Sequence, residues 1–135
     1  MVTLTDYFAG WPDDPGINDT MRDNATKLLD AVNLLLGAAS DDGVFLYMNP
    51  RTQSYVSGLH NGGWRPRNCT EGAPDSSHKQ GRGIDVYDPA NQIDGWLTDA
   101  KLETYGLFRE APQSTMGWCH LTDRLPPSGH RTFFP

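Results

Sequence analysis

The sequence has few of the features that stabilise or anchor small proteins by special means. It contains only two cysteines, Cys69 and Cys119, so a framework of several disulfides is excluded. The two thiols pair only if folding brings them together, and the absence of a visible secretion signal favours two reduced thiols. No segment approaches the roughly 20 apolar residues of a membrane helix, so we expect no membrane partner.

Basic charge is also scarce. The sequence has 11 lysines and arginines against 17 aspartates and glutamates, which gives a net charge of -6. Proteins that bind nucleic acid need a basic surface, so we expect no nucleic acid partner. The N-terminus has no basic stretch followed by an apolar run, and no signal peptide is visible. We therefore expect the protein to stay where it is made, or to leave by cell lysis or inside a particle.

The length of 135 residues suits one domain over residues 1–135, with enough chain to bury a core. Two prolines discourage helix in residues 1–17, which we expect to form an irregular N-terminal arm. Apolar residues at helical spacing predict a helix over residues 18–38. A second such pattern predicts a helix over residues 91–105.

Short apolar runs predict a small sheet. The predicted strands are residues 44–48, 83–87, 107–109, 118–121 and 132–134, with 55–57 as a hairpin partner of the first. Two main helices packed on a small, mainly antiparallel sheet give an α+β fold. Residues 58–81 lack periodicity and are rich in Gly, Pro, Asn, Ser and Arg. Since candidate chemistry lies around this long loop, we expect it to be functional.

Three residues offer ligands for a metal ion. His78 and Asp85 are separated by Gly81, so a turn that enters a strand can present both side chains. His120 must come from a distant strand, on which Cys119 points to the opposite face. Zinc accepts imidazole nitrogen and carboxylate oxygen, and three protein ligands leave one position open for water, as in catalytic sites. The alternative is that the histidines are ordinary surface or core residues and that Asp85 is a turn residue.

The order of these residues resembles a known zinc site. His78-x-x-Gly81-x-x-x-Asp85 followed by Trp118-x-His120 is similar to the pattern of the D-alanyl-D-alanine carboxypeptidase family. That family shares its fold with bacteriophage L-alanyl-D-glutamate endolysins and with the Hedgehog signalling domain.

Three further segments resemble the same family. Residues 62–66 resemble its Ser-Gly-aromatic-Arg motif, which carries an arginine into the cleft. Residues 72–77 resemble the small-residue stretch that leads to its first histidine. Residues 126–135 are similar to the ending of phage-encoded members. Together these segments cover about the last two thirds of the chain.

The resemblance implies a single zinc peptidase-like domain with the Hedgehog/DD-peptidase fold. It implies Zn2+ bound by His78, Asp85 and His120, and peptidoglycan stem peptides as substrates of a D-Ala-D-Ala carboxypeptidase- or endopeptidase-like activity. Arg65 matches the family's arginine and is expected to stabilise an oxyanion or to bind a carboxylate. The alternative is a loop arginine that pairs with a local acid.

The same resemblance bears on partners and location. A phage-encoded protein of this kind is expected in the virion, or in the host cell or periplasm after lysis or injection. Other phage structural proteins are then expected as additional partners.

One position departs from the family pattern. Many members carry Glu or Asp as general base three residues before the last histidine, and here that position is Gly117, which cannot move a proton. We expect a replacement: Glu110 first, then His60 in the glycine-rich approach to the cleft, then Asp75. Taken singly, such residues are more often structural or solvated than catalytic.

Without a substitute base the function changes. The alternative is then a catalytically silent zinc-binding domain with a structural or adhesive role in a phage particle. A weaker third alternative is an α+β domain that binds a small ligand or a partner and has no metal.

Overall fold

The computed structural model describes residues 1–135, in which four short strands form one mixed sheet in the order β1-β3-β2-β4. The strands are β1 (Gly83–Tyr87), β2 (Phe108–Glu110), β3 (Trp118–Thr122) and β4 (Thr132–Phe133). Strand β3 lies antiparallel to both β1 and β2, and β4 lies parallel to β2. The fold class is therefore α+β, as predicted, and the strands after residue 80 lie within one or two residues of their predicted positions.

Four α-helices accompany the sheet. They are α1 (Leu4–Phe8), α2 (Asp19–Asp41), α3 (Gln92–Trp96) and α4 (Asp99–Thr104). None of them combines the length and the apolar character required to cross a membrane.

Helix α2 forms where its apolar periodicity predicts it. Asn18 is the N-cap, and its side chain accepts a hydrogen bond from the Met21 amide. Leu28, Leu35 and Leu36 on its apolar face are fully buried. Burying each of these side chains contributes about 2–3 kcal/mol of hydrophobic stabilisation. The helix ends at Asp41, three residues beyond the predicted end.

The prediction of an irregular arm is wrong for residues 4–8. Thr3 and Asp6 form a reciprocal capping box, in which each side chain accepts from the other residue's backbone amide. Tyr7 is buried and donates its hydroxyl proton to the Gly83 carbonyl at 2.8 Å. The prolines that discourage helix lie beyond this turn, so they do not prevent it. The arm is consequently part of the core and contacts the start of β1.

The strand predicted over residues 44–48 does not form. Its aromatic side chains Phe45 and Tyr47 are exposed, and the centres of their rings lie 4.6 Å apart. The predicted hairpin partner pairs elsewhere: Val56 bridges to Val86 of β1, and the Tyr55 carbonyl accepts from the Tyr87 amide. Residues 55–57 thus cover the free edge of β1, which leaves residues 44–48 without a strand to pair with.

The predicted helix over residues 91–105 is broken into α3 and α4. The Asp88 carboxylate accepts from the amides of Ile93 and Asp94 and so caps the first turn of α3. Thr98 then accepts from the Lys101 amide and begins a new helix. A capping residue in the middle of the apolar pattern therefore ends one helix and starts the next.

The two faces of the sheet differ in chemistry. On one face, Ile84 and Val86 of β1 and Leu121 of β3 belong to the buried core cluster that also contains the apolar face of α2. Because side chains alternate along a strand, Asp85 and His120 lie on the opposite face. This polar face carries the candidate site.

Candidate metal centre

Two of the predicted ligands are neighbours across the sheet. Asp85 of β1 lies directly opposite His120 in the register of β1 with β3. The third, His78, lies in a 3₁₀ turn (Ser77–Gln80) that leads into β1 after Gly81, whose φ is +71°. The turn followed by a strand is the arrangement that the His78–Asp85 spacing predicts.

The three side chains converge on one point. The Asp85 Oδ1 atom lies 2.8 Å from His120 Nδ1 and 3.3 Å from His78 Nε2. The ligand atoms of the three residues all lie within 4.8 Å of one another. In a tetrahedral zinc site with bonds near 2.1 Å, ligand atoms lie roughly 3.4 Å apart. The group can therefore hold one metal ion.

A backbone carbonyl orients His78. Its Nδ1 lies 2.7 Å from the Gly63 carbonyl oxygen, so Nδ1 donates a proton to that oxygen, and Nε2 is the nitrogen that a neutral imidazole would offer to a metal. Gly63 packs so closely on α1 that an added Cβ would lie 2.1 Å from the Tyr7 carbonyl oxygen. The N-terminal helix thus contributes to positioning His78 through the backbone at Gly63.

Asp85 is held in its charged form. Burial alone would raise the pKa of this carboxyl, but the nearby His78 and the hydrogen bond with His120 outweigh burial and hold its pKa well below the usual range. The Arg65 guanidinium lies 3.4 Å from Asp85 Oδ2 and also donates to the Asn61 carbonyl. A carboxylate that stays ionised is the form that binds metals.

A cavity of about 460 Å³ opens onto the three side chains. Glu110, Trp118 and Arg65 line it together with His78, Asp85 and His120. The remaining lining residues come mainly from the loops on either side, at positions 72–77 and 122–135.

The sheet register places Glu110 in line with the ligands. Phe108 and Arg109 of β2 lie opposite Thr122 and Leu121 of β3, so one further step along the same register places Glu110 beside His120. Side chains in directly opposed positions project on the same face, with Cβ atoms about 5 Å apart. Of the predicted bases, Glu110 is the one that lies beside a ligand in the sheet and also lines the same cavity as the three ligands.

The other predicted bases lie farther out. His60 is exposed and lines a neighbouring cavity of about 300 Å³, which shares Arg65, Asp85 and Trp118 with the larger cavity but contains neither histidine ligand. Asp75 is exposed at the rim of the larger cavity.

Gly117 has a conformational reason to be glycine. Its φ is +96°, a region that L-residues rarely adopt. Its amide donates to Asn91 Oδ1, and its carbonyl accepts from the Asp88 amide. An acidic residue at position 117 would therefore strain this turn.

The cysteines take no part in the site. Both thiols are free, and Cys119 is buried on the core side of β3, as its alternation with His120 predicts. Burial raises the pKa of the Cys119 thiol, with the nearby Asp94 acting in the same direction.

Sequence reasoning missed three residues around the site. Arg124 and Phe133 line the larger cavity, and Glu71 lines the smaller one. The Phe133 and His120 rings lie nearly perpendicular to each other, with 6.3 Å between the ring centres. Arg124 follows the strand that carries His120, which is a usable signal, whereas Glu71 lies in a loop whose path the sequence does not indicate.

Comparisons with protein-family models, with curated proteins and with solved structures found no match.

Proposed function

We propose that this protein is a zinc-dependent peptidase that acts on the stem peptides of bacterial peptidoglycan. The observation that carries the proposal is the convergence of His78, Asp85 and His120 at the floor of a cavity. The resemblance of these positions to the zinc ligands of the D-alanyl-D-alanine carboxypeptidase family supplies the substrate class.

The ligand set suits a catalytic zinc ion. Two imidazole nitrogens and one carboxylate oxygen leave a coordination position for water, and the donors face an open cavity. Zinc held there would lower the pKa of a water molecule to about 7 and polarise the scissile carbonyl group.

Residues of this chain supply the proton transfers. Glu110 lies in line with His120 and would accept a proton from the attacking water and return it to the departing amine. Arg65 lies beside Asp85 and lines both cavities, so it can donate hydrogen bonds to the carbonyl oxygen as negative charge develops there.

The cleft favours a substrate that extends to both sides of the scissile bond. The two cavities are neighbours that share Arg65, Asp85 and Trp118 in their linings. Such a cleft suits an endopeptidase-like cut within a stem peptide as well as release of a terminal D-Ala. Residues 126–135, which resemble phage-encoded members, contribute to the larger cavity, and we propose a virion or lysis-stage location on that resemblance.

The test is hydrolysis of purified peptidoglycan and of D-Ala-D-Ala in the presence of zinc. We expect new amino groups to be released by the wild type and not by His78→Ala. No release at any pH from a zinc-loaded protein would overturn the proposal.

One observation favours a second function, a zinc-binding domain without catalysis. The backbone at Gly117 does not accommodate an acidic residue without strain, so the family's usual base is absent. One zinc per chain, no turnover, and binding to cell-wall fragments or to a virion protein would select this function.

A further inference from the structure

We propose that Arg124 binds a carboxylate group of the substrate within the larger cavity. This inference rests on the proposed peptidase function and assigns the residue that selects an acidic peptide.

The backbone holds Arg124 firmly at this position. It lies two residues after β3, and its amide donates to Thr122 Oγ1 at 3.1 Å. The same hydroxyl donates to the Arg82 carbonyl at 2.6 Å. Both Thr122 and Arg124 line the larger cavity.

Only one nitrogen of the Arg124 guanidinium has partners within the protein. Its Nη1 donates to the Asp75 carbonyl and, at 3.0 Å, to Gln80 Oε1. Its Nε and Nη2 make no hydrogen bond within the chain. These two nitrogens form the edge of the guanidinium that binds a carboxylate through two parallel hydrogen bonds.

The charge of Arg124 is also uncompensated. The other arginine of the cavity, Arg65, is paired with Asp85 at 3.4 Å. Arg82 and Arg109, which hold other parts of the fold, are paired with acids as well. No carboxylate lies within ion-pair distance of Arg124, and Asp75 contacts it through its backbone carbonyl only. An anionic substrate group therefore completes a site whose geometry is already fixed.

Two carboxylates of a stem peptide have the required chemistry: the C-terminal carboxylate and the free carboxylate of the D-glutamyl residue. Four synthetic peptides of the type L-Ala-γ-D-Glu-L-Lys-D-Ala-D-Ala distinguish them. Each of the two carboxylates is either free or converted to its amide. The carboxylate whose conversion to an amide weakens binding is the group that Arg124 recognises.

The experiment measures KM and kcat with zinc-loaded wild type, Arg124→Gln and Arg124→Lys. Arg51→Gln is the control, since Arg51 is exposed and lines neither cavity. Peptide dissociation constants are measured by calorimetry on zinc-loaded Glu110→Gln protein, with and without Arg124→Gln. Binding is thereby separated from turnover.

We expect Arg124→Gln to raise KM and Kd about tenfold or more for the recognised carboxylate peptide, because a bidentate charged hydrogen bond is lost. It should leave kcat and the affinity for the matching amide nearly unchanged. Arg124→Lys keeps the positive charge but lacks the planar guanidinium with its two parallel donors. It should recover only part of the selectivity for the carboxylate peptide over its amide. It serves as the second variant if Arg124→Gln folds poorly.

If Arg124→Gln weakens the binding of acidic and amidated peptides equally, the inference is overturned. Arg124 would then have only a structural role, through its hydrogen bonds to Asp75 and Gln80. Failure of the wild type to discriminate, or an equal effect of Arg51→Gln, would also overturn the inference. If no peptide is cleaved but selective, Arg124-dependent binding remains, the peptidase proposal fails and the carboxylate site stands.

Discussion

His120 and Asp85 face each other across strands β1 and β3, with Nδ1 of the histidine 2.8 Å from Oδ1 of the aspartate. The pairing register of the sheet therefore positions two of the three candidate ligands, and the turn before β1 positions His78. Ligands carried by paired strands have little freedom to separate, which favours a site formed before metal arrives.

Zinc binding should stabilise the folded protein. A ligand that binds only the native state, at one hundred times its Kd, stabilises by about 2.7 kcal/mol and should raise the Tm of a domain of this size by about 10 °C. We expect this shift for the wild type in thermal unfolding with zinc, and its reversal by a chelator.

The controls for this shift are two histidine variants. His120→Ala should melt at nearly the same temperature with and without zinc, because one of three ligands is gone. His130→Ala removes an exposed histidine and should retain the full shift. An equal zinc effect on both variants would contradict the assignment.

Glu110→Gln should lower kcat about 10²- to 10⁴-fold, the usual effect of losing a general base. The zinc content of Glu110→Gln should equal that of the wild type, since Glu110 lies beside His120 in the sheet but is not one of the three ligands. His60→Gln and Asp75→Asn are the matched comparisons and should reduce kcat much less. If His60→Gln has the larger effect, the base lies in the smaller cavity instead.

Gly117→Ala should destabilise the protein by about 1–3 kcal/mol, because φ at this position is +96° and an alanine there is strained. The added methyl group meets no atom within 4 Å, so the loss would report backbone strain and not a clash. Gly37→Ala is the control: it lies inside α2, also has free space, and should stabilise by about 0.5–1 kcal/mol. Denaturant unfolding of the wild type and the two variants measures both effects, and a Gly117→Ala variant as stable as the wild type would show that this backbone tolerates a side chain at position 117.

The two thiols should react at very different rates. Cys69 is partly exposed, whereas Cys119 is fully buried and its raised pKa disfavours the reactive thiolate. A thiol reagent at pH 8 should label one cysteine per folded chain and two per unfolded chain. Absence of labelling in the denatured, unreduced protein would show that the two cysteines are paired.

The ligand group was predictable because its spacing carries structural information. A glycine between His78 and Asp85 predicts a turn into a strand, and period-two alternation separates His120 from Cys119. The convergence itself follows from the antiparallel register of β1 with β3. Local patterns do not specify that register, so the sequence supported the metal site only as a hypothesis.

Other features could not be predicted because contacts between segments distant in the sequence determine them. Residues 44–48 have the composition of a strand, yet residues 55–57 occupy the edge of β1. Arg124 belongs to the larger cavity only because the loop containing Asp75 returns to meet it. Neither outcome depends on the residues at those positions alone.

The central claim is that His78, Asp85 and His120 hold one zinc ion. It is tested most directly by metal analysis of wild type and His78→Ala, both purified without chelator and then exposed to equal zinc. We expect one zinc per chain in the wild type and much less than one in His78→Ala, with the variant still folded. A wild type without zinc, or a variant that retains as much zinc as the wild type, would contradict the claim.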